Sequence, residues 1–386
     1  MNVVFLSPGF PPTAASFCAA LKAKGVKVLG IGDMPLAPGS REAAALADYV
    51  LEPDMGNYQM LKAAVERLCE RHGPIDRIES DGEHWLEAGS RLRDDFDVPG
   101  IRSAELRRQR SKLGMAEIFS SAGIATPPGV RAESPEEVRD FARKYEFPLV
   151  FKPDTGSGAA DTFSVENGRE LERALAQVRE GYVVQPFVHG DIVTYDGLAD
   201  RDGNVVFYTS HTYDTGIMQV RLGQLDGYYY SLREVPAALE QVGRAAVRAF
   251  GVRERFFHVE FFAQPNGSYV ALEMNLRPPG GFTTDMMNAA CEFDVYALWA
   301  GVLTGDVHGA VAYERKFHTA HAGRRRERNY RVSHSTLVET LGPMLIASRP
   351  IPAAFAVTMG DWMYLLRDAD LPVLKRTIAL VHALVS

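Results

Sequence analysis

The N-terminal part of the chain alternates between short apolar runs and stretches whose apolar positions recur every three or four residues. Residues 2–6, Asn2-Val3-Val4-Phe5-Leu6, predict a strand, residues 14–23 a helix, and Val26-Lys27-Val28-Leu29-Gly30-Ile31-Gly32 a second strand. Strand, turn, helix and strand within about thirty residues make a βαβ unit and so a parallel sheet. A helix follows over 57–72 and a strand over 75–80, and Asp81-Gly82-Glu83-His84-Trp85 opens a further helix. Near residue 100 the texture changes. Residues 102–110 predict a charged helix that continues through Ser111-Lys112 into 113–122 and ends at Gly123. Helices over 136–144 and 170–179 flank a strand over 147–153, and 183–188 is another short strand. From there the chain is strand-rich. Residues 191–199 and 204–210 join through Asp202-Gly203-Asn204, and 256–264 and 268–274 join through Pro265-Asn266-Gly267, both good hairpin signals. Helices over 236–250, 286–303 and 371–385 complete the pattern.

The loop after the first strand is Ser-Pro-Gly-Phe-Pro-Pro, not Gly-x-Gly-x-x-Gly, so the dinucleotide fingerprint is absent. It is either a turn shaped by prolines or one wall of a small-molecule pocket at the carboxyl end of the strand. Glu79, Glu83 and His84 sit at a strand-to-helix corner, where such sheets bind ligands. The plainer alternative is an Asp81 cap with Glu favouring the positive helix end.

Composition narrows the classes. The chain has 386 residues, with 42 Lys plus Arg against 49 Asp plus Glu and a net charge of −7. At roughly 150 residues per domain this is two or three folding units. Apolar residues at 46% and charged residues at 24% exclude disorder as the main state. The acidic balance supplies no global basic field for a nucleic-acid partner. Cys18, Cys69 and Cys291 lie far apart with no CxxC spacing, which disfavours a disulfide framework or zinc site and fits a reducing cytoplasm. The start lacks a basic n-region, and no run approaches the ~20 apolar residues of a membrane span, so the expectation is a cytoplasmic protein with no membrane partner.

The segment richest in chemistry is Leu272-Glu273-Met274-Asn275-Leu276-Arg277. Strand alternation points Glu273, Asn275 and Arg277 together, opposite Leu272, Met274 and Leu276. Glu260, on the neighbouring strand of the hairpin, adds a second carboxylate. Two carboxylates and an amide carbonyl are hard oxygen ligands of the kind Mg²⁺ takes while keeping sites for water and phosphate. An arginine one step beyond suits a phosphate or acyl-phosphate oxygen. A polar strand face with a surface ion pair is the bland alternative, and four such residues on two adjacent strands weigh against it. The second constellation is Lys152, delivered by a strand to the loop Asp154-Thr155-Gly156-Ser157-Gly158-Ala159-Ala160, whose amides can cover phosphates. No Gly-Lys-Ser/Thr follows, so it is not a Walker loop, and taken alone it is a turn.

The order of these features resembles the ATP-grasp superfamily, most closely its carboxylate–amine ligases and the biotin-carboxylase-like branch, over nearly the whole chain. Ser111-Lys112…Ala122-Gly123-Ile124-Ala125-Thr126-Pro127 looks like that family's first ATP lysine, helix and entry to the lid. Residues 147–153 look like its second-lysine strand, followed by a glycine-rich flap containing Gly156, Ser157 and Gly158. Val183-Val184-Gln185-Pro186-Phe187-Val188-His189-Gly190-Asp191 is similar to its hinge beneath adenine, and Glu260 with Glu273-Met274-Asn275-Leu276-Arg277 to its metal box. Two positions depart from the pattern: Pro186 stands where a hinge glutamate is common, and Asp191 replaces the usual later glutamate that contacts ribose.

The resemblance implies an α/β fold, α+β in its C-terminal part. An N-terminal parallel α/β domain (1–105) would precede a linker helix and small lid (106–185) and a larger antiparallel-sheet domain with the metal site (186–386). It implies ATP and two Mg²⁺ ions, with Mn²⁺ an alternative. Lys112, Lys152, Gly156, Ser157, Gly158, Gln185, Phe187, Val188 and Asp191 would bind nucleotide, and Glu260, Glu273 and Asn275 would hold metal. Lys152 and Arg277 would be catalytic. The implied reaction activates a small-molecule carboxylate as an acyl phosphate and joins it to an amine such as an amino acid or peptide; a homodimer is compatible with it, and the oligomeric state stays open. Carboxylation of bicarbonate with a separate biotin carrier, phosphotransfer without ligation, and a nucleotide-binding regulatory subunit remain alternatives.

Three further features stay open on sequence. Arg324-Arg325-Arg326-Glu327-Arg328-Asn329-Tyr330-Arg331 is either a solvated loop or a basic loop over the site. Tyr228-Tyr229-Tyr230 either packs or lines a pocket. His318, His321 and His334 flank the basic run with no metal-ligand spacing.

Overall fold

β-Branched and apolar runs too short for helices pair as strands β1 (Asn2–Leu6), β2 (Lys27–Gly32), β3 (Asp48–Leu51) and β4 (Arg77–Ser80). In the computed structural model, which describes residues 1–156, 161–178, 180–213 and 225–385, these strands form a parallel sheet in the order β3-β2-β1-β4. Alternation along β1 serves two layers. Val3 and Phe5 pack with Phe17 and Leu21 of α1 (Ala14–Ala23), while Val4 and Leu6 pack with Leu61 and Val65 on the other face. The short α2 (Arg41–Ala44) precedes β3, and α3 (Tyr58–His72) carries Leu61 and Val65. A single 3-10 turn (Glu83–Trp85) leads into α4 (Leu86–Asp95).

The expected continuous helix through Ser111 is two helices, α5 (Ser103–Arg110) and α6 (Lys112–Ser121). Ser111 is extended (ψ 128°), and its Oγ accepts from the Gly114 N–H, so it caps α6 and cannot also continue α5. Strands β5 (Val130–Arg131), β6 (Leu149–Pro153), β7 (Phe163–Val165) and β8 (Tyr182–Pro186) make a small antiparallel sheet in the order β5-β8-β6-β7. Its core forms against α7 (Pro135–Tyr145) and α8 (Gly168–Gln177) through Val138, Phe151, Leu171 and Val184.

Among the described residues the largest sheet has nine strands. Its first part is β9 (Asp191–Ala199), β10 (Val205–Thr209), β11 (His211–Tyr213) and β12 (Tyr228–Ser231). After α9 (Ala237–Ala249) come β13 (Arg255–Ala263) and β14 (Tyr269–Asn275). The predicted hairpins are present: β10 pairs β9, and β14 pairs β13, both antiparallel. The single helix expected over 286–303 is instead α10 (Thr283–Cys291) and α11 (Val295–Thr304). Glu292 turns left-handed (φ 48°), and Asp294 accepts from the Tyr296 and Ala297 N–H groups, so a side-chain cap restarts the chain in a new direction. The remainder is β15 (His318–Arg324), α12 (His334–Leu341), β16 (Leu345–Pro350), α13 (Ala353–Met359), β17 (Trp362–Asp368) and α14 (Leu371–His382).

One apolar core joins the parallel sheet to the large one. Phe17 of α1 meets Tyr296 and Trp299 of α11 edge-on at 4.8 and 5.0 Å, and Phe256 of β13 at 5.8 Å. This contact fixes the carboxyl end of the parallel strands against the end of β14, where the charged residues gather. No helix among the described residues is long and apolar enough to cross a membrane.

Candidate active site

Two lysines reach the site from different elements, held together by Asp154 just after β6. The Asp154 carboxylate accepts from Ser111 Oγ at 2.8 Å and from the Leu113 N–H at 3.2 Å, and its carbonyl accepts from the Lys112 N–H at 2.8 Å. The end of the Lys152 strand is thereby tied to the first turn of the Lys112 helix. Burial pushes the Lys152 ammonium down to about 8, and the neighbouring Lys112 charge adds to that, against the pull of Glu273, Glu260 and Asp154. Lys112 is also lowered by burial, against Glu273, Asp154 and Glu83, and its Nζ donates to the Gly156 carbonyl at 3.1 Å. Both ammonium groups therefore sit in a partly dry place that a phosphate would complete.

Glu260 and Glu273 are register partners across β13 and β14. Burial raises Glu273, and the Glu260 charge raises it further, against the two lysines and a 3.0 Å hydrogen bond from Asn275 Nδ2. Alternation holds at Glu273, Asn275 and core Met274, but fails at Leu272. Leu272 is the extra residue of a β-bulge: Glu273 opposes Glu260 while Ala271 opposes Phe261, so Ala271 takes the core position expected for Leu272. Among the described residues no three His, Cys, Asp or Glu side chains converge as a metal cage. Two facing carboxylates beside an amide oxygen nevertheless fit Mg²⁺, which retains water and takes phosphate oxygens as its remaining ligands.

Behind Glu260 lies a buried chain that sequence reasoning missed. His258 donates from Nε2 to Glu260 Oε1 at 3.0 Å and from Nδ1 to Asp196 Oδ1 at 2.5 Å, and His211 Nδ1 donates to Asp196 Oδ2 at 2.7 Å. Thr194 Oγ1 also donates to Asp196. Burial opposes ionisation at both ends. The mutual attraction and hydrogen bonds win, holding His258 up to about 10 and Asp196 down to about 2. The available signal was polar residues at alternate positions of otherwise apolar strands, Thr194 and Asp196 on β9 and His258 and Glu260 on β13.

Arg277 lies just beyond β14, and its Nε donates to Glu83 Oε2 at 2.8 Å. Asp81 is not a helix cap. Its carboxylate accepts from Thr13 Oγ1 at 2.6 Å, and burial pushes it up to about 6 against Thr13 and the Arg277 charge. These groups share a cleft of about 600 Å³ with Glu260, Glu273, Gly156 and the Phe10-Pro11 loop after β1.

The nucleotide-hinge candidates lie apart from this cleft. Gln185 is buried and donates from Nε2 to the Pro127 carbonyl at 3.1 Å, whereas Phe187 is 40% exposed beside His189. Val188 follows the end of β8, and Asp191 is exposed at the start of β9. Ser157 and Gly158 lie outside the described residues.

The basic run is neither a fully solvated loop nor a wall of the cleft. Arg324 is buried in β15, donates to the Val381 and Val332 carbonyls and stacks on Tyr330, while Arg328 pairs with Asp226 at 3.3 Å. Of the tyrosine run, Tyr228 and Tyr229 line the cleft and Tyr230 packs in a core. His321, Phe355, Thr358 and Met359 also line it and were not legible as site residues.

Residues 110–280, which contain both lysines and the Glu/Glu/Asn/Arg set, match the ATP-grasp domain family. The chain carries an ATP-grasp domain. Beyond the matched residues, the likeness to solved structures is one of fold. The L-amino acid ligase of Bacillus licheniformis superposes with a TM-score of 0.77 at 15% identity, covering 98% of this chain and 95% of that one. The biotin carboxylase domain of Hydrogenobacter thermophilus 2-oxoglutarate carboxylase, solved with MgADP and bicarbonate, superposes with a TM-score of 0.72 at 15% identity over 95% and 86%. In sequence, the L-arginine-specific L-amino acid ligase of Bacillus subtilis is 21% identical over 274 residues, 68% of this chain. The match spans 65% of that relative's length.

Proposed function

We propose that the protein is an ATP- and Mg²⁺-dependent ligase that activates a carboxylate as an acyl phosphate and joins it to the amine of an amino acid or peptide. The observation that carries the reading is the meeting of Lys112 and Lys152 with Glu260 and Glu273. Each lysine feels Glu273, and the two carboxylates oppose one another. Glu260, Glu273 and Asn275 would hold Mg²⁺, which supplies charge neutralisation at the phosphates. Lys112, Lys152 and the loop at Gly156, Ser157 and Gly158 would hold the phosphates, with Gln185, Phe187, Val188 and Asp191 toward the nucleoside.

A carboxylate oxygen attacks the γ-phosphorus, the bond to the β,γ-bridging oxygen breaks, and ADP leaves. The amine nitrogen then attacks the acyl carbon, the carbon–oxygen bond to phosphate breaks, and one proton is released. The first step needs positioning and charge stabilisation more than covalent help from the protein. Arg277, anchored on Glu83, would face the acyl phosphate. A 600 Å³ cleft supports amino-acid-sized substrates over bicarbonate alone. The test is product analysis with Mg·ATP and pooled amino acids: ADP and phosphate should appear only with substrate, and AMP with pyrophosphate would overturn the mechanism.

A further inference from the structure

Part of the cleft lining is aromatic. Tyr213 stacks on Tyr229 at 5.2 Å, Tyr229 on His321 at 5.4 Å, and His321 on Phe282 at 6.1 Å, all within 26° of parallel. The polar atoms of this ladder carry no charge, because burial keeps both tyrosine hydroxyls protonated and the imidazole neutral. Thr283 Oγ1 donates to the Gly280 carbonyl at 2.7 Å, so the Tyr229 hydroxyl donates to Thr283 at 3.0 Å. Burial pushes His321 down to about 4, which leaves it neutral, with Nε2 donating to the Met359 carbonyl at 3.3 Å. Met359 closes the end so tightly that a Cβ on Gly281 would stand 2.5 Å from its Cε. At the rim, Phe10 stacks on Phe355 at 5.2 Å. Among the described residues, the lining contributed by Tyr213, Tyr229, Gly280, Gly281, His321, Phe355, Thr358 and Met359 holds no carboxylate, ammonium or guanidinium.

The same cleft also holds charges of both signs. Asp81 accepts one hydrogen bond, from Thr13, and among the described residues it makes no ion pair. Arg277 is close enough to influence it. A buried carboxylate without a cation beside a guanidinium matches an α-amino acid, whose ammonium and carboxylate are adjacent. We infer that this cleft selects, as the acid to be activated, an α-amino acid with a large apolar side chain: Asp81 binds the ammonium, Arg277 faces the carboxylate, and the ring ladder with Met359 takes the side chain.

The inference rests on the ligase reading, and hydroxylamine separates the two because it traps any acyl phosphate as a hydroxamate whatever the natural amine. With Mg·ATP, phenylalanine, leucine and methionine are expected to exceed alanine, arginine and glutamate in kcat/KM by roughly 100-fold. Phenylpropionate, which lacks the ammonium, should fall roughly 100-fold below phenylalanine, because Asp81 is then left unpaired. In Asp81→Asn that gap should close while the KM for ATP stays put. Met359→Glu should move preference toward arginine. Because Met359 is buried, Phe355→Ala at the half-exposed rim is the second variant, expected to raise the KM for phenylalanine about tenfold with little change in kcat. Preference for arginine or glutamate in the wild type would overturn the inference and leave the ligase reading standing. Phenylpropionate used as well as phenylalanine would overturn the role of Asp81. No hydroxamate from any acid, with Mg·ADP still binding by calorimetry, would overturn the ligase reading and the inference with it.

Discussion

Arg277 Nε and Glu83 Oε2 are 2.8 Å apart although 194 residues separate them in the chain. Arg110 reaches the other oxygen of the same carboxylate at 3.2 Å. Glu83 thus fixes the end of β14 and the end of α5 to the corner of the parallel sheet. Glu83→Gln keeps the shape and removes the charge that orients Arg277. Steady-state kinetics should show kcat lowered about 10- to 100-fold with little change in the KM for ATP. The melting temperature should barely move, because a partly exposed pair contributes little to stability. An unchanged kcat would mean that Arg277 needs no such anchor.

Lys152 illustrates a residue that costs stability. Its folded value of about 8 lies below its ordinary 10.5. The unfolded chain therefore binds more protons between those values, and stability attributable to Lys152 rises with pH across that window. Lys152→Met should remove this slope and gain up to roughly 3 kcal/mol near neutrality, while raising the KM for Mg·ATP on the order of 100-fold. Denaturant titrations at several pH values, beside kinetics, check both halves.

Asp81 makes the opposite linkage prediction. Its folded value of about 6 lies above the ordinary 3.8, so its contribution is fully present below 3.8 and is lost as pH rises through about 6. Asp81→Asn retains an acceptor for Thr13. Relative to wild type, the variant should gain about 3 kcal/mol between those limits. Parallel thermal melts across the window suffice, and a difference that does not grow with pH would contradict the burial of an unpaired carboxylate.

His258 bridges Asp196 and Glu260 within the sheet. His258→Gln leaves Asp196 charged and short of its partner, with an expected loss of about 3–5 kcal/mol in urea unfolding. It also releases Glu260, so Mg²⁺ affinity in the presence of ADP should fall roughly 10- to 100-fold. Calorimetric metal titration separates this from simple destabilisation.

Gly197 of β9, next to Asp196 and opposite Phe257, has no room for a side chain. A Cβ there would stand 2.2 Å from the Phe207 carbonyl oxygen and 2.7 Å from the Phe257 ring. Gly197→Ala should destabilise the fold by about 3 kcal/mol without altering the pH profile of activity.

The local part of the site was legible because strand geometry is periodic. Glu273, Asn275 and Arg277 share a face by alternation, and a short turn at Gly267 brings Glu260 opposite. Lys152 ends a strand whose apolar neighbours announce it. The same reasoning failed at Leu272, where one inserted residue shifts the register, and at Asp294 and Ser111, where single side-chain caps break what periodicity would extend.

By itself, then, the sequence determined the parallel N-terminal sheet, the lysine-bearing strand and the glutamate-bearing hairpin, because each depends on contacts between neighbours in the chain. Only tertiary structure decided how Asp154 joins the two lysines, how Glu83 holds Arg277, and how Tyr229 and His321 come to stack. Tyr229 and His321 lie opposite one another because β12 and β15 pair in one register. That register is set by the packing of a whole sheet, and no pattern within either strand encodes it. The charges of the candidate site could therefore be read from short motifs, while the shape and polarity of the cleft came from elements far apart in the chain.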